Sequence, residues 1–501
     1  MEEKKNDKSW VLSVLVMLIG GFMAILDSSI VNVAIPTMMN DFQATMSSIQ
    51  WVTTIYMLTL GVIVPTSGWL GDYFGFKKLY VYSLVMFTLG SALCSLAWSE
   101  HVLIAARVVQ ALGGGMIMPT MMSMVYSVVP REKMGSAMGI FGLTMLVAPA
   151  IGPTLGGYLV EYVSWRWIFT VNLPIGIIGT FLAIYSLPDF PAKDAGKFDV
   201  AGFLLSSVGL FCLLLALSQG QDWGWTSFPI VMLLYGSVAL LGLFAFHELT
   251  TTNPLLDLRV FKYPTFLLGN LMLVVVTIGM FGGLFYIPFF LQTVRGMGAL
   301  QVGLLMLPPA LVSAFMLPIA GRLYDKVGPK IPVGTGILLL SFATYLFTKI
   351  DVDTPLSTIV AWNMLRALGM GMTMMPLQTA LMSVLPPEQI GRGSAITNII
   401  SRIASSMGIA VLTLILTNRL AFHSAYLTWT ISAQNLAGLA ATGLANQQTL
   451  MMLLQMNIAK IAFVQGLNEM FYITAIISAL AFIPVFFIKK GESRARAGVM
   501  E

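Results

Sequence analysis

Residues 68–75 read GWLGDYFG and residues 321–328 read GRLYDKVG. Both fit G-x-L-x-D-x-x-G and lie 253 residues apart. Each is followed by basic residues: Lys77 and Lys78 after the first, Lys330 after the second. A second pattern repeats at nearly the same interval. Pro130, Glu132 and Gly135 read P-x-E-x-x-G, as do Pro386, Glu388 and Gly391, 256 residues on. Two repeats at nearly equal offset argue for duplicated halves, a plan that places a transport site between them. In the first loop, Gly68 and Gly75 permit close helix approach and a tight turn. Asp72 suits a helix N-terminus, where the dipole favours an anion, and Lys77 supplies partner charge. Gly321, Asp325 and Gly328 repeat the set. Recurrence in both halves argues against the plainer reading, a solvated loop with ordinary charge.

The composition around these loops is that of a chain dissolved in a bilayer. Of 501 residues, 10% are charged and 57% apolar, and the mean hydropathy is +0.85. A soluble chain of this length needs more charged surface. Cys94 and Cys212 both fall in apolar stretches, so no disulfide framework is implied. The polar start ending at Lys8 leads into an apolar run without a small-residue cleavage site, which reads as an uncleaved first span. A spanning helix needs about 20 apolar residues. Fourteen stretches qualify: 10–35, 48–69, 79–97, 102–126, 137–160, 167–187, 200–218, 228–247, 265–291, 300–320, 331–348, 357–383, 394–417 and 467–488.

Lys and Arg collect on the cytoplasmic side of membrane proteins. With the N-terminus inside, nineteen of the 27 fall in inside segments, five in outside segments and three within spans. The count and the orientation support each other, and both termini are cytoplasmic. The expected fold is all-α, with two six-helix halves, 1–190 and 262–501, and a helix pair inserted at 191–261. Residues 418–466 are expected as an outer loop containing an interfacial helix.

Further motifs sharpen this. The first span carries Leu26-Asp27-Ser28-Ser29-Ile30-Val31-Asn32-Val33-Ala34-Ile35-Pro36. The fourth carries Arg107, Gln110 and Gly113 to Gly115. The fifth carries Ala148-Pro149-Ala150-Ile151-Gly152-Pro153-Thr154-Leu155-Gly156-Gly157. Trp165 to Phe169 with Asn172, and Asn253 to Arg259, add to the set. With the duplicated loop, these resemble the major facilitator superfamily, and within it the fourteen-span drug:proton antiporters of the EmrB/QacA type. The resemblance covers about residues 10–420 and says little about substrate. It implies gating by the G-x-L-x-D-x-x-G loops, an antiporter motif at Pro149, Gly152, Pro153, Gly156 and Gly157, and coupling of the fourth-helix Arg to a first-helix acid.

The residues themselves point the same way. Deep within the expected spans the charged residues are Asp27, Arg107, Arg366 and Arg402, with Glu469 only two residues inside the outer end of the last span. Intramembrane charges are costly and default to function, and Asp27 is the one acid at depth. Asp27 lies nine residues before Pro36, about 13 Å below the outer face, and Arg107 seven residues after Glu100, about 10 Å below it. The two therefore lie at similar depth and form the candidate proton-coupling pair. Arg366 is taken to correspond to Arg107 in the second half. Trp51, Tyr56, Gln292, Arg366 and Gln378 are candidate cavity residues. Gly142, Gly152, Gly156 and Gly157 let the fifth span pack closely. The methionines at 116–124 and 370–375 suit either an adaptable binding surface or ordinary packing.

The expected function is export of a small amphipathic drug or toxic compound across the cytoplasmic membrane, driven by the proton gradient and needing no cofactor. Export of a dedicated metabolite, lipid or siderophore stays open, as does a sensor on the same fold. His101, His247 and His423 form no metal constellation, no nucleophile–base set points to an enzyme, and no Walker-type loop supports ATP drive. The net charge of +5 forms no basic run, so nucleic acid is not an expected partner. The expected partners are the substrate, protons and lipid, and the sequence leaves a periplasmic adaptor open. Three cations deep in the spans against one acid favour neutral, zwitterionic, anionic or singly cationic substrates over dications.

Overall fold

The helices stop where the chain offers a breaker or a cap. Gly75 and Gly328, the last residues of the two repeated motifs, adopt φ of +84° and +79°, which only glycine takes without strain. Each backbone N–H closes on the preceding helix, Gly75 to Gly71 O at 3.0 Å and Gly328 to Tyr324 O at 2.8 Å. Ser99 begins a helix by accepting from the Val102 N–H, and Asp199 another by accepting from Gly202. In a computed structural model that describes residues 2–130, 133–192, 196–252, 254–386, 389–434 and 447–488, these breaks delimit fourteen long helices among the described residues. They are α1 (Glu2–Asp41), α2 (Trp51–Phe74), α3 (Phe76–Ser95), α4 (Glu100–Val128), α5 (Met134–Tyr162), α6 (Trp167–Ser186) and α7 (Val200–Trp223). The rest are α8 (Phe228–Thr250), α9 (Pro264–Thr293), α10 (Ala299–Val327), α11 (Lys330–Leu346), α12 (Leu356–Ser383), α13 (Ile390–Gln434) and α14 (Gln447–Leu480).

Thirteen of these are long and apolar enough to cross a membrane. The other, α12, has 28 residues, ample for crossing, but carries Asn363, Arg366, Thr373, Gln378 and Thr379. It lies packed against α9, α10 and α11, and Asn363, Arg366, Thr373 and Thr379 are buried. Each expected span corresponds to one helix, and the fold is all-α and polytopic.

Duplication is visible in the packing. A Cβ on Gly113 of α4 would lie 2.5 Å from Phe87 N and 2.5 Å from Ser83 O of α3. A Cβ on Gly369 of α12 would lie 2.5 Å from Leu340 N and 2.6 Å from Gly336 O of α11. The same backbone-to-backbone seam therefore occurs in both halves, with Gly369 in the place of Gly113, 256 residues on. That register pairs Asn363 with Arg107 and Arg366 with Gln110. The expected equivalence of Arg366 and Arg107 is thus off by about one turn.

Two expectations about helix ends are corrected. Residues 418–434 and 447–466 form outward continuations of α13 and α14 rather than a loop with one interfacial helix. Residues 435–446 lie outside the described residues. No Gly or Pro interrupts 418–434, so hydropathy falls there while the helix goes on. The extensions are tied by Arg419 and His423 to Glu469, at 2.8 and 2.9 Å. Helix α8 also runs past 247, which brings Glu248 into a span. It is fully buried, with Oε2 accepting from Leu256 N at 3.2 Å. Asp27 is therefore not the sole acid in a span. Beside Glu248, His247 pairs with Asp199 at 2.9 Å. These contacts fasten the 254–259 segment to the inserted pair. The insert's inner helix α7 packs on α2 through Leu58, Leu214 and Leu215.

The halves meet on the side that the charge bias assigns to the cytoplasm. There Met118, Met121, Met122 and Met124 of α4 and Met138 of α5 form one buried cluster with Leu317 of α10 and Met375 of α12. A neighbouring cluster joins Val64 to Phe266, Leu381 and Ile396. Toward the outer face, by contrast, the cluster around Ile30, Trp165 and Phe169 draws on the first half alone. The one around Tyr286, Phe290 and Phe471 draws on the second. The apolar clusters that join the halves among the described residues thus lie on the cytoplasmic side, while toward the outer face Gly303 of α10 meets Thr154 of α5, 3.4 Å from a Cβ.

Valine at Gly113 or Gly369 must push helix backbones apart. Each substitution is expected to cost about 1–3 kcal/mol and to lower the unfolding temperature in detergent by several degrees. Gly236→Ala, where a Cβ meets nothing within 4 Å, is the control and is expected to leave it unchanged. Equal melting of all three variants would contradict the seam.

Candidate functional site

Asp27 sits in the middle of α1, flanked by Ser28 and Ser29, whose hydroxyls donate back to Ile25 O and Leu26 O. They are spent within the helix, so the carboxylate must find donors on other helices, and it finds three. Arg107 Nη1 donates to Oδ2 at 2.6 Å. Gln110 Nε2 donates to Oδ1 at 2.8 Å, and Asn172 Nδ2 to the same oxygen at 2.9 Å. Asp27, Arg107, Gln110 and Asn172 are all at 0% exposure. Three donors on two oxygens, one of them a guanidinium, match an ionised carboxylate, which only accepts.

The arginine is held as firmly. Its Nε donates to Val52 O at 3.2 Å, its Nη1 also reaches Gln110 Oε1, and its plane lies over the Tyr56 ring with Cζ 3.9 Å from the centroid. Gln110 Nε2 donates in addition to Ser91 Oγ at 2.8 Å. Five helices, α1, α2, α3, α4 and α6, thus converge on one ion pair. Breaking a buried pair by removing one partner costs about 3–5 kcal/mol, because the other charge is stranded. Two atoms of the cluster lack a partner among the described residues, Arg107 Nη2 and Asn172 Oδ1.

The expected pair, Asp27 and Arg107, is therefore in direct contact, and Tyr56 belongs with it. Gln110, Asn172 and Ser91 complete the site without having been assigned a role from sequence. The i, i+3 spacing of Gln110 from Arg107 puts both on one helix face and was a usable signal. Nothing in the sequence brings Asn172, 145 positions after Asp27, to the same point. Trp51 packs with the α2–α7 cluster, away from the pair. Gln292 is exposed near the outer end of α9, and Gln378 of α12 has a buried Oε1 without a partner among the described residues. Arg366 lies at 2% exposure against α9, with Nη2 donating to Met280 O.

The loop residues lie at the cytoplasmic junction. Gly68 faces Arg392 of α13, with a Cβ 3.5 Å from its Cγ, and Gly391 faces Ser123 and Phe76. Asp72 stands in the last turn of the Ser67–Phe74 segment rather than at a helix start, so the expected dipole placement is not the observed one. Lys77 pairs with Asp189 at 2.8 Å, and its ammonium holds that exposed carboxyl below the usual range. Glu132 and Glu388 lie outside the described residues. In the second loop, Tyr324, next to Asp325, reaches Ser383 of α12. On α5, Gly152 and Gly156 press on α1: a Cβ would lie 2.0 Å from Ser29 Oγ and 2.8 Å from Ile30 Cγ1. Gly157 faces open space. Further along α5, Gly139 and Gly142 meet Pro318 and Leu317 of α10. One helix thus touches both the Asp27 helix and the opposite half.

The family model described as Major Facilitator Superfamily matches residues 17–409. The chain belongs to the major facilitator superfamily. Among curated relatives, this facilitator is 38% identical over 423 residues to the uncharacterized MFS-type transporter YhcA of Bacillus subtilis, covering 84% of this chain and 79% of that one. It is 33% identical over 397 residues to the lincomycin resistance protein LmrB of the same organism, covering 79% and 83%. Its fold matches the structure of the proton:xylose symporter XylE with a TM-score of 0.65 at 12% identity, over 97% of this chain and 98% of that one. It is a multi-pass membrane transporter related to bacterial drug-resistance exporters, not an enzyme.

Asp27→Asn strands Arg107 in the apolar interior of this facilitator, whereas Asp27→Asn with Arg107→Gln removes both charges. The single variant is expected to unfold several degrees below wild type, and the double variant to recover at least half of that loss. A double variant less stable than the single would show that the pair does not carry the cluster.

Proposed function

We propose that this transporter exports small amphipathic compounds across the cytoplasmic membrane in exchange for protons, with Asp27 as the proton carrier and Arg107 as its counter-charge. The observation that carries the proposal is the fully buried Asp27–Arg107 pair, with Gln110 and Asn172 donating to the same carboxylate. An ionised acid at this depth persists only while its donors hold it. A proton arriving from the outer side neutralises Asp27 and weakens its hold on Arg107. The freed guanidinium keeps Val52 O and the Tyr56 face. This switch has two discrete arrangements, as coupling requires. On the cytoplasmic side the same acid gives up its proton and Arg107 recaptures it.

Transmission to the gates runs through α1 and α5. Ser29 and Ile30, next to Asp27, are the residues against which Gly152 and Gly156 pack, so a shift of α1 bears on α5 and through it on α10. The Gly68, Asp72, Gly75 and Lys77 loop and its partner at Gly321, Asp325 and Gly328 latch the cytoplasmic ends. A drug as substrate is the reading favoured by the kinship to LmrB, named for lincomycin resistance.

Two outcomes follow. In inverted vesicles with an imposed pH gradient, Asp27→Asn is expected to abolish gradient-driven uptake of a fluorescent dye substrate while membrane insertion persists. Uphill uptake that still depends on the pH gradient removes Asp27 from the coupling role. Asp72→Ala is expected to slow transport about tenfold or more with binding affinity within about twofold of wild type, since a latch acts on cycling rather than on ground-state contacts. Weakened binding with an unchanged cycling rate would place Asp72 at the substrate instead.

A further inference from the structure

The second half carries a buried cation beside the place of the coupling acid, but not the acid. In the packing register of the two halves, Arg366 stands where the first half has Gln110, the residue that donates to Asp27. Gly283 of α9 stands 256 residues after Asp27, the same interval as from Gly113 to Gly369. The contact is preserved while the chemistry is inverted. Gln110 touches Asp27 in one half. In the other, the Arg366 guanidinium lies against bare Gly283, where a Cβ would sit 2.1 Å from Cζ. The glycine is required there by the guanidinium that fills its side-chain space.

Arg366 is poorly satisfied for a charge so deep. At 2% exposure it has one hydrogen bond to Met280 O, and its Nε has no partner among the described residues. No ion pair joins it to a carboxylate of a described residue, and Asn363, in the place of Arg107, donates to Met306 Sδ instead. Arg107, by comparison, has a carboxylate, an amide oxygen, a carbonyl and an aromatic face. An uncompensated guanidinium is costly at mid-membrane even on the lenient insertion scale. Arg402 of α13 adds a second cation whose Nε has no partner among the described residues. Arg366 also lies about 13 Å outward along α12 from Met375 of the cytoplasmic seam. That places it at the level where the apolar clusters of the two halves are separate.

We propose that Arg366 is the docking point for an acidic group of the substrate, so that the transported amphiphile supplies the carboxylate, or an equivalent anionic oxygen group, that Gly283 omits. This deepens the export reading above and rests on it for the direction of transport, but the site is tested by binding alone. The guanidinium is tied to the chain by the single bond to Met280 O and can give it up for a ligand, and a planar carboxylate suits its paired N–H groups. Amphiphiles with a free acid, whether anionic or zwitterionic, are then preferred over their esters.

The test uses purified full-length protein in nanodiscs and two dyes that differ in one group: a rhodamine with a free carboxylate and its methyl ester. Wild type is expected to bind the free acid about tenfold more tightly, the worth of one charge-assisted hydrogen bond. Arg366→Gln is expected to bring the ratio to about one, and Arg366→Lys to keep part of it. Gly283→Asp, whose new carboxylate pairs with Arg366 from within, is expected to bring the ratio to one or below. Equal or absent binding of the two dyes to wild type overturns the proposal. So does a ratio that survives in Arg366→Gln, even where that variant is less stable; Arg366 is then only a helix-to-helix tie. If the acid preference holds while gradient-driven uptake of both dyes is absent, the site stands and the export reading fails.

Discussion

An ionised carboxylate in the middle of a membrane protein must be held by donors or lose its charge, and this single constraint organises the first half. Asp27 is satisfied only by a guanidinium from α4, an amide from the same helix and an amide from α6. The guanidinium in turn needs a carbonyl and an aromatic face from α2. The demand of one acid therefore fixes the relative placement of five helices. The glycines follow from it: α3 and α4 can bring Ser91 to Gln110 only because Gly90 and Gly113 let their backbones meet. The same pair that stabilises the half is the part most sensitive to one proton, which suits it to a switch.

The second half shows what the constraint looks like when it is relaxed. Its α11–α12 seam repeats the α3–α4 contact at Gly369, backbone against backbone, so the local scaffold is the same. What differs is chemistry at three positions: glycine for the acid, arginine for the glutamine, asparagine for the arginine. On the proposals above, the proton and the substrate have separate halves, which methionines join at the cytoplasmic seam. Their unbranched side chains can repack as the halves rock, where Leu or Val would have to find one geometry.

Much of this was legible in the sequence, for identifiable reasons. Hydrophobic length located every span, because a helix in lipid must satisfy its own backbone and cannot hide its period. The repeated loops announced the duplication because only glycine tolerates the positive φ at Gly75 and Gly328. Asp27 and Arg107 were legible because charge in a span is rare. The ends of α8 and α13 were not, since hydropathy marks the membrane boundary while helices continue until a breaker. That is why Glu248 and the outward extensions were missed. Asn172 was invisible as a ligand because no local signal encodes a contact across 145 positions. The equivalence of Arg366 to Gln110 needed atomic packing, since Arg-to-Arg is the natural alignment of two similar helices.

The central claim is that Asp27 exchanges a proton as substrate binds and leaves. The most direct measurement is the number of protons released when the purified transporter, in weakly buffered detergent solution between about pH 6 and 8, is saturated with a rhodamine dye. A pH indicator reads the release. The account predicts release that varies with pH for wild type and none for Asp27→Asn at matched occupancy. Release of the same size from Asp27→Asn would contradict it, and would move the proton to another group.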